Sequence, residues 1–444
     1  MQPSCHPLWP SSVTLNIRSE EDSTLGWPGA ANSESEPMTG ALDGIRVLDL
    51  SRVLAGPWCT QLLADLGADV VKIERPGLGD DTRQWGPHWL ENEDGSPGTE
   101  SSYYLAANRG KQSITVDIGC EAGQQIVRDL AAESDVLVEN FKVGGLLAKG
   151  LSYEDLKPTN PGLVYASITG FGQTGPRSSE PGYDYLAQAL SGFMSVTGPA
   201  DGEPGAGPTR AGVAVSDLST GMYAAVAILA ALFRRELSGE GQYIDVALLD
   251  SQTAMLANQA TSFLVSGVPP TRSGSWHPSL APYQSFEASD GTFIIAVGNN
   301  GQFVDLCDVI ERQDLATDER YSTNPARVAN RAALVDELNA ALRLETKAHW
   351  LGRLPLAGVP AAAVNSVAEV FDEPQLRHRG GRIDLPHASA GTAPGVANPI
   401  KFSKNPIAYR NAPPLLGEHT DQVLADRLGF DADRIAALRS AAVI

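Results

Sequence analysis

The chain has 444 residues, 42% hydrophobic and 19% charged, which suits a globular protein of two or three domains with a sizeable core. Its net charge of −20 argues against nucleic acid as a partner, because a phosphate backbone needs a basic face, yet leaves room for a small anionic ligand on a local basic patch. No uninterrupted apolar run reaches the about 18 residues that cross a membrane. The four cysteines are scattered without a CxxC pair and the seven histidines lack metal-ligand spacing, so neither a disulfide framework nor a metal site is expected. Free thiols fit a reducing compartment, and the expected location is the cytoplasm.

Residues 1–37 are rich in Ser, Pro and Glu and read as a disordered tail, with Met38 as an alternative start. The tail's acidic residues argue against a targeting helix. From there the pattern turns regular. "GIRVLDLS" (44–51) predicts a buried strand, "GPWCTQLLADLGA" (56–68) a helix with Pro57 in its first turn, and "DVVKIERP" (69–76) the next strand. Short connections make this a β–α–β unit in a parallel sheet. "QSITVDI", "EAGQQIVRDLAAES", "DVLVENF" and "LVYASITGF" continue as strand, helix, strand, strand. The expected fold class is α/β, with a doubly wound large domain that binds its ligand at the carboxyl ends of its strands. "DLSRVLAGP" stands where a dinucleotide fold would carry GxGxxG, so a nicotinamide or flavin site is not supported.

A long helix is predicted from Asp217 to Glu236, then a turn, a strand and another helix, and then a Gly/Pro/Ser-rich break at 266–282. A hairpin and helices follow in a smaller α+β domain. The organisation expected is a large domain at 38–238 completed by 400–444, a linker helix and loop at 239–279, a small domain at 280–370 and a return linker at 371–399.

Asp217 sits at the foot of the apolar run. Ser216 or Asp217 can cap the helix, and the helix N-terminus favours a carboxylate. The same placement is expected to keep that carboxylate ionised in an apolar site, where it can attack an activated acyl group. Both readings stand on the residues alone. Two glycine-rich loops, 170–176 and 197–208, either bring backbone N–H groups to a substrate or simply turn tightly. Lys72, Arg75, Arg83, Arg109, Lys111, Lys142 and Lys149 fall in one part of an acidic chain. They are either solvated surface charges or a cradle for a polyphosphate such as the pyrophosphate of coenzyme A.

From "LDGIRVLDLSRVLAGPWCTQLLADLGADVVKIERPGLGDDTR" onward the sequence resembles class III CoA-transferases, the formyl-CoA and carnitine CoA-transferase (CaiB/BaiF) family. "YYLAANRGKQSITVDI", "DVLVENF", "ASITGFGQTGP", "GYDYLAQALSG", "SDLSTGMYA", "SGEGQYIDVALLD" and "PPLLGEHTDQVL" match in the same order, from about Leu42 to the C-terminus. The resemblance implies a Rossmann-like large domain and an interlocked homodimer in which both chains build each site. It implies Asp217 as the covalent nucleophile, acting through an aspartyl-CoA thioester. Acyl-CoA and a carboxylic acid would be the substrates, with no metal and no permanently bound cofactor. It also implies CoA contacts at Leu54, Ala55, Arg75, Val116, Asp117, Asn140, Phe141 and Lys142, with Tyr183 beside the nucleophile. A family arginine near the diphosphate falls at Ala148 here, and Lys149 next to it is the candidate substitute.

A run of four glycines found in formyl-CoA transferases is absent; "RSGSWHPSLAPYQ" stands there, which suggests another acceptor. Several stretches resemble the branch that moves CoA between dicarboxylic acids. Succinyl-CoA is therefore the expected donor and glutarate or hydroxymethylglutarate the expected acceptor. A distal carboxylate needs a cation, with Arg83 and Arg109 as candidates; CoA phosphate binding or a structural ion pair is an equal reading for both. The racemase branch has a histidine where Tyr183 stands, and a tyrosine with an ordinary pKa of about 10 is a poor proton shuttle near neutrality, so transfer is favoured over racemisation. A non-catalytic CoA-binding protein is the remaining alternative.

Overall fold

A computed structural model describes residues 40–444, so the expected tail at 1–37 lies outside the described residues. Strands β1 (Arg46–Asp49) and β2 (Asp69–Glu74) flank the helix Ala55–Asp65. A hairpin of β3 (Trp89–Glu91) and β4 (Pro97–Ser101) follows, then β5 (Lys111–Thr115), β6 (Val136–Glu139), β7 (Val164–Thr169) and β8 (Tyr243–Ala247). Six of these form one parallel sheet in the order β5-β2-β1-β6-β7-β8.

Period-two alternation sends the side chains of each strand to two cores. Leu48, Val71, Ile73, Leu137 and Tyr165 face one, which the helix Glu121–Ala132 covers together with Val423, Leu424 and Ile435 of the C-terminal helices Thr420–Leu428 and Ala432–Ser440 and Phe430 between them. Val47, Val70, Val136, Val138, Val164 and Ala166 face the other, against the helix Ala55–Asp65 and the long helix Val215–Ser238. Both faces are covered, so the strands carry near-continuous Val, Ile and Leu.

By length and composition the 24-residue helix Val215–Ser238 could cross a membrane, although polar residues interrupt its apolar run. Its inner face is packed in the second core, while Met222, Tyr223, Val226, Phe233 and Leu237 remain exposed. Gly221 lets it close on the first helix: a Cβ there would lie 2.6 Å from the carbonyl oxygen of Ala55. Asp217, one turn earlier, is thereby carried to the N-terminal end of that helix.

The smaller unit has an antiparallel sheet of β9 (Tyr283–Ala288), β10 (Gly291–Ala296) and β11 (Ala361–Ala363) and its own core, including Phe286, Phe293, Phe303, Leu338 and Trp350. The segment expected as a return linker holds structure of its own. β12 (Arg382–His387) and β13 (Gly391–Val396) pair as a hairpin whose Leu385 and Ala393 pack with Leu90 and Leu105 of the large unit.

Candidate active site

Numbered along the chain within the main sheet, the strand order is 3-2-1-4-5-6, and the direction of winding reverses between β1 and β6. Ligands of open α/β sheets bind outside the carboxyl ends of the strands at such a point. Two adjoining cavities open there. One, of about 510 Å³, is lined by Arg52, Leu54, Ala55, Asn140, Lys142, Tyr183 and Asp217. The other, of about 250 Å³, is lined by Arg75, Asp80, Val116, Asp117 and Lys149. Arg52 and Phe141 border both, and the Arg52 guanidinium lies 5.7 Å from the Phe141 ring centre. The structure therefore gathers Asp217 and every CoA-contact candidate around two cavities that share Arg52 and Phe141 as a common border.

Asp217 is not the helix cap. The helix begins at Val215, and Ala214 before it carries no capping side chain. The acceptor comes from another segment: Asp184 Oδ1 takes the Ser216 N–H at 2.8 Å, and its Oδ2 takes the Gln188 side-chain N–H at 2.7 Å. Among the described residues no hydrogen bond or ion pair reaches the Asp217 carboxyl group. Burial, with the negative charge of Asp184 added, pushes its pKa up to about 7. The helix N-terminus does not keep that pKa in the usual carboxylate range, because desolvation and a like charge outweigh a dipole worth about 0.3–1 kcal/mol.

The turn after β1 is held from three sides. Lys72 Nζ donates to the Ser51 carbonyl at 2.7 Å. Asn140 accepts the Arg52 N–H at 2.9 Å and donates to its carbonyl at 2.6 Å. Asp80 Oδ1 accepts the Val53 N–H at 3.2 Å. Val53 has φ of +71°, the left-handed region that a β-branched side chain avoids at about 1–3 kcal/mol. Asp80 and Lys72 form a fully buried ion pair at 3.0 Å. Burial alone would raise the Asp80 pKa, but the Lys72 ammonium and the Thr82 hydrogen bonds bring it below the usual carboxylate range. Next to Asn140, Glu139 accepts from the Phe141 N–H at 2.8 Å and from the Ser167 hydroxyl. Burial pushes Glu139 up to about 7 against those two bonds.

The seven basic residues divide. Arg75, Lys142 and Lys149 line the two cavities, and Lys72 is their floor. Lys111 is buried beneath, 3.1 Å from Asp49. Arg83 and Arg109, the candidates for a distal carboxylate, are not brought to the cleft with Asp217. Arg83 is bidentate to Glu74 at 2.7 and 2.8 Å and also reaches Glu100 and the Tyr104 hydroxyl. Arg109 is bidentate to Asp65 at 2.6 and 2.8 Å and donates to the Val396 carbonyl, which fastens the β12–β13 hairpin. Both are structural ion pairs, the alternative left open for them.

The two glycine loops also separate. Gly170 lines the cleft and meets Gly182 so closely that a Cβ on it would lie 2.3 Å from the Gly182 Cα. The loop at 197–208 instead packs on Arg272 and Gly274. Among the cleft residues that went unnamed in the sequence reading are Arg52, Asp81, Trp85 and Asp184. A signal existed for each. Asp81 stands inside the matched opening stretch. Arg52 stands in the turn after the first strand, Trp85 lies two residues beyond the end of the matched opening stretch, and Asp184 is next to Tyr183.

Comparison with known proteins agrees with this geometry. The model of CoA-transferase family III matches residues 42–420. A succinate–glutarate CoA-transferase of Agrobacterium fabrum is 49% identical over 87% of this chain and 95% of its own length. The human succinyl-CoA:glutarate CoA-transferase is 43% identical over 94% of this chain and 93% of its own. A solved CaiB/BaiF family protein of Brucella suis superposes with a TM-score of 0.78 at 47% identity, covering 88% of this chain and all of that one. A family model spanning most of the chain, relatives alike over nearly their whole length, and a carboxyl group left unpaired at the sheet's switch point agree: this chain belongs to CoA-transferase family III.

Proposed function

We propose that this CoA-transferase moves CoA from succinyl-CoA to a second dicarboxylate, with glutarate as acceptor, through covalent bonds to Asp217. Ionised Asp217 attacks the acyl carbonyl, the C–S bond breaks, and CoA leaves as thiolate from a mixed anhydride. The thiolate then attacks the aspartyl carbonyl, succinate departs, and Asp217 carries CoA as a thioester. The acceptor carboxylate attacks that carbonyl and expels the thiolate, which takes the acceptor's acyl group and returns Asp217 as a carboxylate. No proton is consumed overall, and each thiolate is used in the next step.

The observation that carries this reading is the Asp217 carboxyl itself, without hydrogen bond or ion pair among the described residues, in a cleft where the capping duty belongs to Asp184. A desolvated carboxylate with a raised pKa is a stronger nucleophile than a hydrated one. The glutarate assignment is supported by the activities named for the relatives. The CoA contacts follow the two cavities: Leu54, Ala55, Asn140, Phe141, Lys142 and Tyr183 along the thioester arm, and Arg75, Val116, Asp117 and Lys149 toward the nucleotide. Arg52, half-exposed in the cleft with one nitrogen on Asp81, takes the distal carboxylate in place of Arg83 and Arg109. An interlocked homodimer belongs to the same reading, and the exposed apolar face of the long helix supports it.

Incubation with succinyl-CoA, trapping with hydroxylamine or borohydride, and peptide mass spectrometry test the mechanism. A modification on Asp217 that is absent from Asp217→Ala is expected. Turnover without any adduct at Asp217 would overturn it.

A further inference from the structure

We propose that the buried Lys72–Asp80 pair is a positioning device for the transfer reaction, holding the left-handed turn at Val53 in the shape that presents Arg52–Ala55 to the cleft around Asp217. The proposal rests on the transferase reading of that cleft and adds residues that do not touch substrate.

The turn is short and its polar groups are almost fully assigned. The Ser51 N–H goes to Asp49 at 2.9 Å and its carbonyl to Lys72, both N–H and carbonyl of Arg52 go to Asn140, and the Val53 N–H goes to Asp80. Each partner comes from a different place: Asp49 from the end of β1, Lys72 from β2, Asn140 from the end of β6 and Asp80 from the loop after β2. Free of these partners, a valine at φ of +71° would relax to negative φ, and the following Leu54 and Ala55, which line the cleft with Asp217, would move with it.

Asp80 is the element best placed to prevent that. It is 1% exposed, and one oxygen receives the Val53 N–H, the Thr82 N–H at 3.0 Å and the Thr82 hydroxyl at 2.8 Å. Its other oxygen faces the Lys72 ammonium. Its own N–H is held by Glu74 Oε2 at 2.9 Å, the oxygen that also accepts from Arg83 Nε. Arg83 therefore bears on the site after all, through Glu74 and Asp80 to the Val53 turn. On the surface side Arg52 pairs with Asp81 at 2.6 Å, so two consecutive aspartates tie two consecutive residues of the turn. A charged pair in a fully buried place is costly unless its geometry is fixed, and a fixed geometry is what a strained turn needs from its neighbours.

The test is a double-mutant cycle read by steady-state CoA exchange. It compares wild type, Asp80→Ala, Val53→Gly and the double variant, each checked for folding by thermal melting. Glycine adopts φ of +71° without strain, so it removes the need for the clamp. Asp80→Ala is expected to lower kcat about 30-fold or more while the KM for succinyl-CoA changes less than threefold. Adding Val53→Gly to it is expected to recover at least tenfold in kcat. The same cycle with Asp80→Ser, which leaves room for a water beside Lys72, covers the case in which the alanine variant does not fold. A kcat within threefold of wild type in the Asp80 variants, or a loss that Val53→Gly does not recover, would overturn the positioning role. Absence of exchange in the wild type would sink the transferase reading instead, so the two failures are distinguishable.

Discussion

The floor of the site and the cleft above it are built from the same kinds of side chain, but they differ in how those side chains are partnered. On the floor three carboxylates each have a cation: Asp80 has Lys72, Asp49 has Lys111, and Glu74 has Arg83. In the cleft Asp217 has none, and the charge that acts on it is a second carboxylate, Asp184. Removing a charge from water costs several kcal/mol unless it is paired, so the floor reads as architecture. A carboxyl group left unpaired in a hollow has its pKa moved instead, and that is the condition for chemistry. Residue type does not separate the two regions; the inventory of partners does.

The largest effect should come from the unpaired member. Asp217→Asn is expected to lower CoA exchange by at least about 10³-fold, since no neighbouring group offers a substitute nucleophile. The same change should stabilise the fold at high pH. Folded Asp217 keeps its proton up to about pH 7, whereas the unfolded chain releases it near pH 4. Between those values wild type loses stability relative to the variant as pH rises, and above 7 the gap is constant. Urea titrations at pH 5 and pH 8 should show the larger gap at pH 8.

A floor residue should behave in the opposite way. Arg83→Met leaves Glu74 and Glu100 buried without their cation and is expected to cost about 3–5 kcal/mol in urea unfolding. If Arg83 read the acceptor instead, the fold would keep its stability and only the KM for glutarate would rise.

The contrast between floor and cleft was half legible in the sequence. The β–α–β rhythm dictates the parallel sheet, and the ordered motifs point to Asp217 and to the residues of both cavities. Pairing was not legible, because it joins distant segments. Arg83 meets Glu74 nine positions earlier but also the Pro414 carbonyl 331 positions later. The cap of the long helix comes from Asp184, 32 residues before Ser216, so a local reading of "SDLSTG" can offer only Ser216 or Asp217 for that duty. The β12–β13 hairpin was hidden for another reason. "RIDLPH" and "GTAPGV" carry Pro and Gly that local patterns assign to loops, and the pairing is supported by Leu385 and Ala393 docking beside the β3–β4 hairpin.

A smaller effect tests the cation in the cleft. Arg52→Gln is expected to raise the KM for glutarate about tenfold and to leave a monocarboxylate acceptor within twofold, the size of one exposed charge-assisted contact. An equal loss for both acids would show that Arg52 serves the CoA moiety rather than the distal carboxylate.

The smallest effect is a shift of pH rather than a loss of rate. Asp184→Asn keeps an oxygen for the Ser216 N–H, and asparagine caps a helix as well as aspartate does, so the long helix should stay in place. What it removes is the like charge beside Asp217. Burial, the larger cause, remains, so the pKa of Asp217 should fall from about 7 without returning to its ordinary value. Only ionised Asp217 attacks, so the acid limb of kcat/KM in the wild type should have its midpoint near pH 7. In the variant that midpoint should move down by about half a unit to one unit, making the variant faster relative to wild type at pH 6 than at pH 8. A midpoint that stays near 7 would mean that burial alone sets the ionisation of the nucleophile. Asp184 would then serve the site only as the cap that leaves Asp217 free.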